Sequence, residues 1–508
     1  MAFNRQFGLL LHPTSLPSEF GIGDIGPTAL EFVTILHEMG ASLWQILPVN
    51  NPGYGQSPYS ADSVFAANPL LISPELLYQN GWLTKQDILN DIPSSDQVDF
   101  KRCEKLKNHL FRKSFNTYID KKGFLSDSFQ IFRHDNHYWL ENYAIYKAIK
   151  NSFDGRSWLE WPIHLKMQDP EQISAFKKSN EQEILYQIFL QFIFFSQWQE
   201  LKSFAVGLDI AIIGDMPIFP ALDSADVWSN SSLFDLKEDR HPVSQAGVPP
   251  DYFSSTGQKW GNPLYNWSEN KRTDYSWWKE RFRVLLKLVD MIRIDHFRGF
   301  EKYWCIPADA VTAEIGEWKP GPGAEFFTEI KHFLGSLPFI AEDLGIITPE
   351  VEELRDYLGF PGMRILQFAF DGNPANPYLL FNHRPQDVVF TGSHDNNTTR
   401  GWWDSLEPDL RSVIAKQMET ILGHPIGDIV VEMLRMVMSS VCHAAIIPVQ
   451  DLLGLNASTR MNTPGTSEGN WKWKLKDFDA LQNKIGEIRQ MASIFNRVRN
   501  DDQVVLGK

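Results

Sequence analysis

Four acids stand where short apolar runs give way to turns. Asp215 follows Leu208–Ile213, Asp295 ends Met291–Asp295, Glu342 lies in Phe339–Gly345, and Asp395 follows Val388–Thr391. The run Met291-Ile292-Arg293-Ile294-Asp295 alternates, so a strand here puts Ile292 and Ile294 on one face and Arg293 with Asp295 on the other. A guanidinium beside a carboxylate favours its ionised form. Two carboxyls with separated protonation states suit the cleavage of a glycosidic bond, one as nucleophile and the other as acid and then base. A third can grip sugar hydroxyls. The competing chemistry is a divalent metal site drawn from Asp295, His296, Asp343, His394 and Asp395. Arg293, aimed the same way as Asp295, opposes a cation there, so no metal is expected. Alternation leaves open whether Glu342 or Asp343 faces the pocket. Asp343 reads as a cap for the following helix, and His12, His296 and His394 each read first as structural histidines.

These acids must be brought together by the strands that carry them. Phe7–Leu11, Leu43–Val49, Leu208–Ile213, Met291–Asp295, Phe339–Gly345, Met363–Phe368, Val388–Thr391 and Ala445–Val449 read as eight strands alternating with helices. That pattern predicts an α/β fold, a (β/α)8 TIM barrel, whose strand ends converge on one face. Pro27 and Gly40 bracket the first crossover helix. Residues 51–207 are too long for a crossover and predict a mostly helical insertion after the second strand. Residues 218–275, dense in Gly and Pro, predict a loop-rich insertion after the third strand that covers the site. A single catalytic domain then spans 1–508, closed by a helix over 478–499.

Composition narrows the partners. A formal net charge of -15 over 508 residues excludes the basic surface that nucleic acids and anionic membranes require. The apolar run Ile184–Phe195 is interrupted by Gln187 and Gln191 and is too short to span a bilayer, so it reads as a buried helix. No signal peptide is read at the N-terminus. Cys103, Cys305 and Cys442 are far apart and odd in number, which points to reduced thiols and a cytoplasmic protein. Seventeen Trp, 14 Tyr and 35 Phe fit either a large core or flat faces that stack on sugars.

Longer motifs then fall in order along the chain: LLLHPTSLPSEFGIGDIGP, GYGQSPYS, GDMPIF with DSADVW, GVPPDYFSSTGQKWGNPLY, RIDHFRGFEKYW, FIAEDLG, GSHDNNTTRGWW and RMNTPGT. From Gly8 to about Trp473 the sequence resembles the amylomaltases, the 4-α-glucanotransferases or disproportionating enzymes of the α-amylase clan. The resemblance implies Asp295 as nucleophile, Glu342 as acid/base and Asp395 as transition-state stabiliser. It implies sugar contacts from Tyr59, Asp215, Arg293 and His394, with Gln258 and Trp260 following a covering loop at Pro249–Gly257. Tyr252 and Phe253 would give that loop its apolar cover. The resemblance places Tyr54 on a glucan-binding surface and Asp371 and Asn462 near the cleft. It further implies transfer of α-1,4-glucan segments between maltooligosaccharides, with glucose as acceptor or product, retention of configuration and no cofactor. Pro220, Ser393, Asn397 and Asp62 depart from the residues common in the family, which bears on glucan-length preference. No appended starch-binding module is expected before Phe3 or after Gly507.

Overall fold

The alternation of short β-branched runs with amphipathic helices resolves, in a computed structural model describing residues 5–89, 92, 94–250 and 254–498, into eight parallel strands. They are β1 (Gln6–Leu10), β2 (Leu43–Gln45), β3 (Ala211–Pro217), β4 (Met291–Asp295), β5 (Phe339–Ala341), β6 (Met363–Ile365), β7 (Val388–Phe390) and β8 (Ala444–Pro448). Their order around the sheet is β6-β7-β8-β1-β2-β3-β4-β5. The two edge strands, β5 and β6, meet through the Ala341 N–H on the Pro361 carbonyl at 2.8 Å, which nearly closes a barrel. Strands buried on both faces are continuously apolar, and Phe7, Leu9, Ile292, Ile294, Ile446 and Ile447 are fully buried.

Two strand boundaries differ from the sequence expectation for identifiable reasons. The pattern LDIAII fits a strand from Leu208, but the long helix Glu181–Gly207 occupies the approach. Its end is closed by Asp209 in the left-handed region (φ 55°) and by the Ile210 N–H on Ala205 O, so β3 starts three residues later, at Ala211. Asp215 therefore lies inside a strand, directly beside Arg293 of β4. β2 ends at Gln45 rather than Val49, ahead of Pro48, which has no N–H to give a ladder.

Polar interruptions in the apolar helix Glu181–Gly207 tie the start of the segment between β2 and β3 to its end. Gln191 donates to the Ala67 carbonyl (3.0 Å) and accepts the Ala67 N–H (2.8 Å). Gln197 grips Ser73 in the same two ways, at 3.2 and 2.8 Å. A buried amide satisfied on both sides fixes the register of loop against helix. That same segment carries the helices Phe100–Asp120 and His137–Ser152. No helix among the described residues is long and apolar enough to cross a membrane.

The stretch 218–275 holds more regular structure than its turns suggested. Ser244–Val248 and Gln258–Pro263 pair antiparallel, and Ser244–Val248 pairs again with Lys302–Pro307, which in turn pairs with Glu317–Pro320. Chain from after β3 and from after β4 thus builds one four-stranded sheet.

Candidate active site

The β3–β4 register places Asp215 against Arg293, and the strand period places Asp295 on the same side as Arg293. One guanidinium nitrogen, Nη1 of Arg293, donates to both oxygens of Asp215 at 2.8 and 2.7 Å and to Asp295 Oδ1 at 2.9 Å. Burial works against the arginine's charge, but Asp215 and Asp295 outweigh it and raise its pKa well above the ordinary range. The Tyr59 hydroxyl donates to Asp215 Oδ2 at 2.8 Å and lies 2.9 Å from His394 Nε2. Its ring stacks on His394 at 5.2 Å.

Glu342 is positioned from the backbone. Its N–H bonds Ile294 O at 3.0 Å, and its carbonyl accepts from Phe297 N at 3.2 Å, which lays it beside the end of β4. His296, directly after Asp295, adopts φ 55°. In that turn the His296 N–H reaches Glu342 Oε2 at 2.6 Å, while the Leu344 N–H reaches Oε1 at 3.1 Å. A left-handed conformation at a non-glycine residue costs energy and persists where the surroundings enforce it.

Asp395 sits in a side-chain turn after β7. Ser393 gives its N–H and hydroxyl to Asn396 Oδ1 at 2.8 and 2.9 Å, and Ser393 Oγ accepts the Asp395 N–H at 3.2 Å. Asn462 donates to Asp395 Oδ1 at 2.6 Å, and His394 Nε2 lies 3.3 Å from Asp395 Oδ2. Arg460 donates to the Asp395 carbonyl.

Exposure separates these residues into two sets. The side chains of Asp215 and Arg293 are 0% and 3% exposed, whereas Asp295 keeps 28%. Glu342 and Asp395 are likewise only half-buried. The three acids named for chemistry face an opening, and the buried pair lies behind them.

The expectation that Arg293 alone keeps Asp295 ionised meets opposing forces. Burial first, with Asp215, Glu342 and Asp395 adding to it, pushes the Asp295 carboxyl well above the usual carboxylate range, against the pull of Arg293. Burial also raises Glu342, again against Arg293 and the two backbone N–H bonds. Glu342 adds to the rise at Asp295, while direct contact with Arg293 favours the charged form of Asp295. Burial lowers His394 and brings His12 to about 3 and His296 to about 4, so imidazoles around the mouth stay neutral.

Other sequence-derived positions are placed less centrally. Trp260 meets His296 edge to face at 4.9 Å, and its indole N–H reaches Gln258 Oε1 at 3.3 Å. Tyr54 begins a 3₁₀ turn, Tyr54–Gln56. Asp371 is exposed and accepts the Asn373 N–H at 2.9 Å, a local turn. Tyr252 and Phe253 lie outside the described residues. Asp343 is not a helix cap: the next helix, Pro349–Leu358, starts after Thr348, and Asp343 is buried on Arg355 and Arg364. Sequence reasoning passed over Trp471, which packs on Tyr59 and His394 at 5.8 and 6.1 Å. Its φ of 65° is the signal, and only coordinates reveal it.

Comparison with known proteins gives the family and the fold. The family described as 4-alpha-glucanotransferase matches residues 11–481. A 4-alpha-glucanotransferase of Synechocystis sp. is 44% identical over 93% of this chain and 94% of the relative. One of Thermus thermophilus is 41% identical over 98% of this chain and the whole of the relative. Among solved structures, an amylomaltase from Streptococcus agalactiae in complex with acarbose superposes with a TM-score of 0.93 at 35% identity, covering 97% of this chain and all of that one. An amylomaltase from Corynebacterium glutamicum, 17% identical with a TM-score of 0.77, shares the fold over 97% of this chain and 75% of its own.

Proposed function

The chain belongs to the 4-alpha-glucanotransferase family, and from that premise we propose how its own residues move a glucan segment from donor to acceptor. Asp295 attacks the anomeric carbon of an α-1,4-linked donor. The glycosidic bond breaks, its electron pair leaves with the oxygen, and Glu342 gives that oxygen its proton. The 4-hydroxyl of a second maltooligosaccharide, or of glucose, then attacks the same carbon. Glu342 takes the hydroxyl proton and Asp295 leaves, so configuration is retained. Asp395 and His394 grip the reacting sugar, and Tyr59 and Trp471 give it an aromatic wall. Asp215 and Arg293 fix the nucleophile from beneath. Neither a metal nor a cofactor takes part.

The observation that supports this most is the linkage of the two acids. Asp295 is held by Arg293, and the N–H of the very next residue holds Glu342. That both carboxyls are held at the end of β4 supports reading them as the catalytic pair. The enzyme's α-1,4-glucan substrates accord with the acarbose bound by the Streptococcus agalactiae amylomaltase. Three buried cysteines, none in a disulfide, support a cytoplasmic setting.

The test is the configuration of the glycosidic bond newly formed from maltotriose, followed by NMR. Retention gives the α-anomer at the transferred end. A β-product means that water or sugar attacks directly, and the covalent step through Asp295 fails.

A further inference from the structure

We propose that Asp343 is a positioning residue for the proton donor, the inner corner of a closed ring of six alternating charges set across the barrel seam. The proposal rests on the reading of Glu342 as acid/base. The seam lies between β5 and β6, the edge strands of the sheet. There Asp343 Oδ1 accepts the Met363 N–H at 2.7 Å, a side chain doing what a neighbouring strand's carbonyl does elsewhere. Its other oxygen pairs with Arg355 and, at 3.5 Å, with Arg364.

From there the ring runs outward and back. Arg355 meets Asp356 at 2.9 Å, Asp356 meets Arg384 at 2.9 Å, Arg384 meets Asp387 at 3.2 Å, and Asp387 meets Arg364 at 2.8 Å. Four members are sequestered, with side-chain exposures of 2% (Asp343), 1% (Arg355), 7% (Arg364) and 0% (Asp387). Asp356 and Arg384 close the ring at the surface. The backbone is shaped to admit it: a Cβ on Gly362 would stand 2.5 Å from Asp343 Oδ2 and 3.1 Å from Arg355 Nη1.

Buried ion pairs are a weak source of stability, since apolar packing of equal volume does as well. What they give is direction. Asp343 is covalently next to Glu342, so pinning its carboxylate on two guanidinium groups and a backbone N–H pins the chain on one side of Glu342. The bond from the Glu342 N–H to Ile294 O pins the other side. The same N–H bond fixes Met363, whose sulfur accepts from Arg293 Nε at 3.4 Å. One ring thereby touches the supports of both reacting acids.

A purely structural ring and a positioning ring differ in which reaction suffers. α-Maltosyl fluoride loses fluoride without needing a proton, whereas maltotriose needs Glu342 in place. For Asp343→Asn, checked for folding by thermal denaturation, turnover of maltotriose should fall about 10–100-fold, the scale of a misplaced catalytic group. First-turnover fluoride release should stay within about threefold of the parent. Glu342→Gln, run beside it, should show the same selectivity in larger measure. Equal losses on both substrates for Asp343→Asn, or no loss on maltotriose, overturn the positioning role. Equal losses for Glu342→Gln instead overturn the acid assignment on which it stands. If Asp343→Asn does not fold, Arg364→Lys takes its place; it keeps the charge and leaves Asp343 its Arg355 partner. The same selectivity, in smaller measure, is then expected, and its absence rejects the proposal.

Discussion

On the β3–β4 side of the mouth, Asp295 shares one guanidinium nitrogen with Asp215, over contacts of 2.7–2.9 Å. On the β5 side, Glu342 has no cation among its hydrogen-bond partners within the described residues and is held by two backbone N–H groups. The contrast matches what the proposed mechanism asks of each acid. A nucleophile has to stay charged, and a fixed cation in contact favours that against the pull of burial. A proton donor has to gain and lose a proton within each cycle, and a contacting guanidinium would tie it to the charged form. Backbone donors hold it in place while burial raises its affinity for the proton.

The largest break in this comparison is removal of the nucleophile. Asp295→Ala leaves Arg293 with Asp215 as partner, so the fold should survive while turnover on maltotriose falls by roughly 10⁴-fold or more. Glucose release measures it. Retention of more than about a hundredth of the parent's activity would move the nucleophile elsewhere.

Next is the proton donor. Glu342→Gln keeps the shape and one of the two backbone contacts, since an amide nitrogen cannot accept an N–H, and should cost about 10²–10⁴-fold in kcat. The pH profile sharpens the assignment. The first step needs Asp295 ionised and Glu342 protonated, so kcat/KM should rise as pH climbs through the Asp295 pKa and fall as it climbs through that of Glu342. Both are raised by burial, so the bell should sit above the ordinary carboxylate range. Glu342→Gln should erase the descending limb. A descending limb that persists belongs to another group.

Arg293→Lys probes the fixed-charge side alone. An ammonium supplies the charge but not a planar fork that reaches Asp215, Asp295 and the Met363 sulfur together. Loss of one charge-assisted bond suggests a fall of about 10–100-fold in kcat, and the ascending limb should move to higher pH as Asp295 loses its contact. An unshifted limb would mean that a group out of contact with Arg293 sets it.

The fixed-charge side was also the more legible in sequence. Alternation alone put Arg293 and Asp295 on one face, because strand period is a local property. The β5 side depends on distant partners: nothing near Asp343 announces Arg355, Arg364 or Met363, so a loop acid read as a cap proved to be a buried seam residue. Asp215 was found although its strand was placed three residues early, since LDIAII is apolar throughout and carries no phase. The four-stranded sheet was hidden because its strands, such as Ser244–Val248 and Gln258–Pro263, contain the Gly and Pro that signal turns. Trp471 was invisible for a related reason: its place beside Tyr59 is set by a backbone turn, not by a pattern.

The smallest expected effect concerns which acceptor reaches the intermediate. Transfer and hydrolysis share the Asp295 adduct, so the outcome depends on whether a sugar or a water is better placed against it. Trp260 stands on the strand Gln258–Pro263, with its ring edge to face against His296, the residue that follows Asp295. It is 37% exposed, so part of the indole remains free to stack on an acceptor sugar. Such a face is worth about 0.5–1.5 kcal/mol beyond simple burial, or roughly two- to tenfold in occupancy. Trp260→Ala should therefore leave the first step near normal while favouring water in the second. The readout is new reducing ends per glucose released from maltotriose, which should rise by about two- to tenfold, with high maltose as acceptor restoring transfer. A ratio that does not move, in an enzyme that still turns over, would place the choice of acceptor elsewhere in the mouth and leave Trp260 a packing partner of His296.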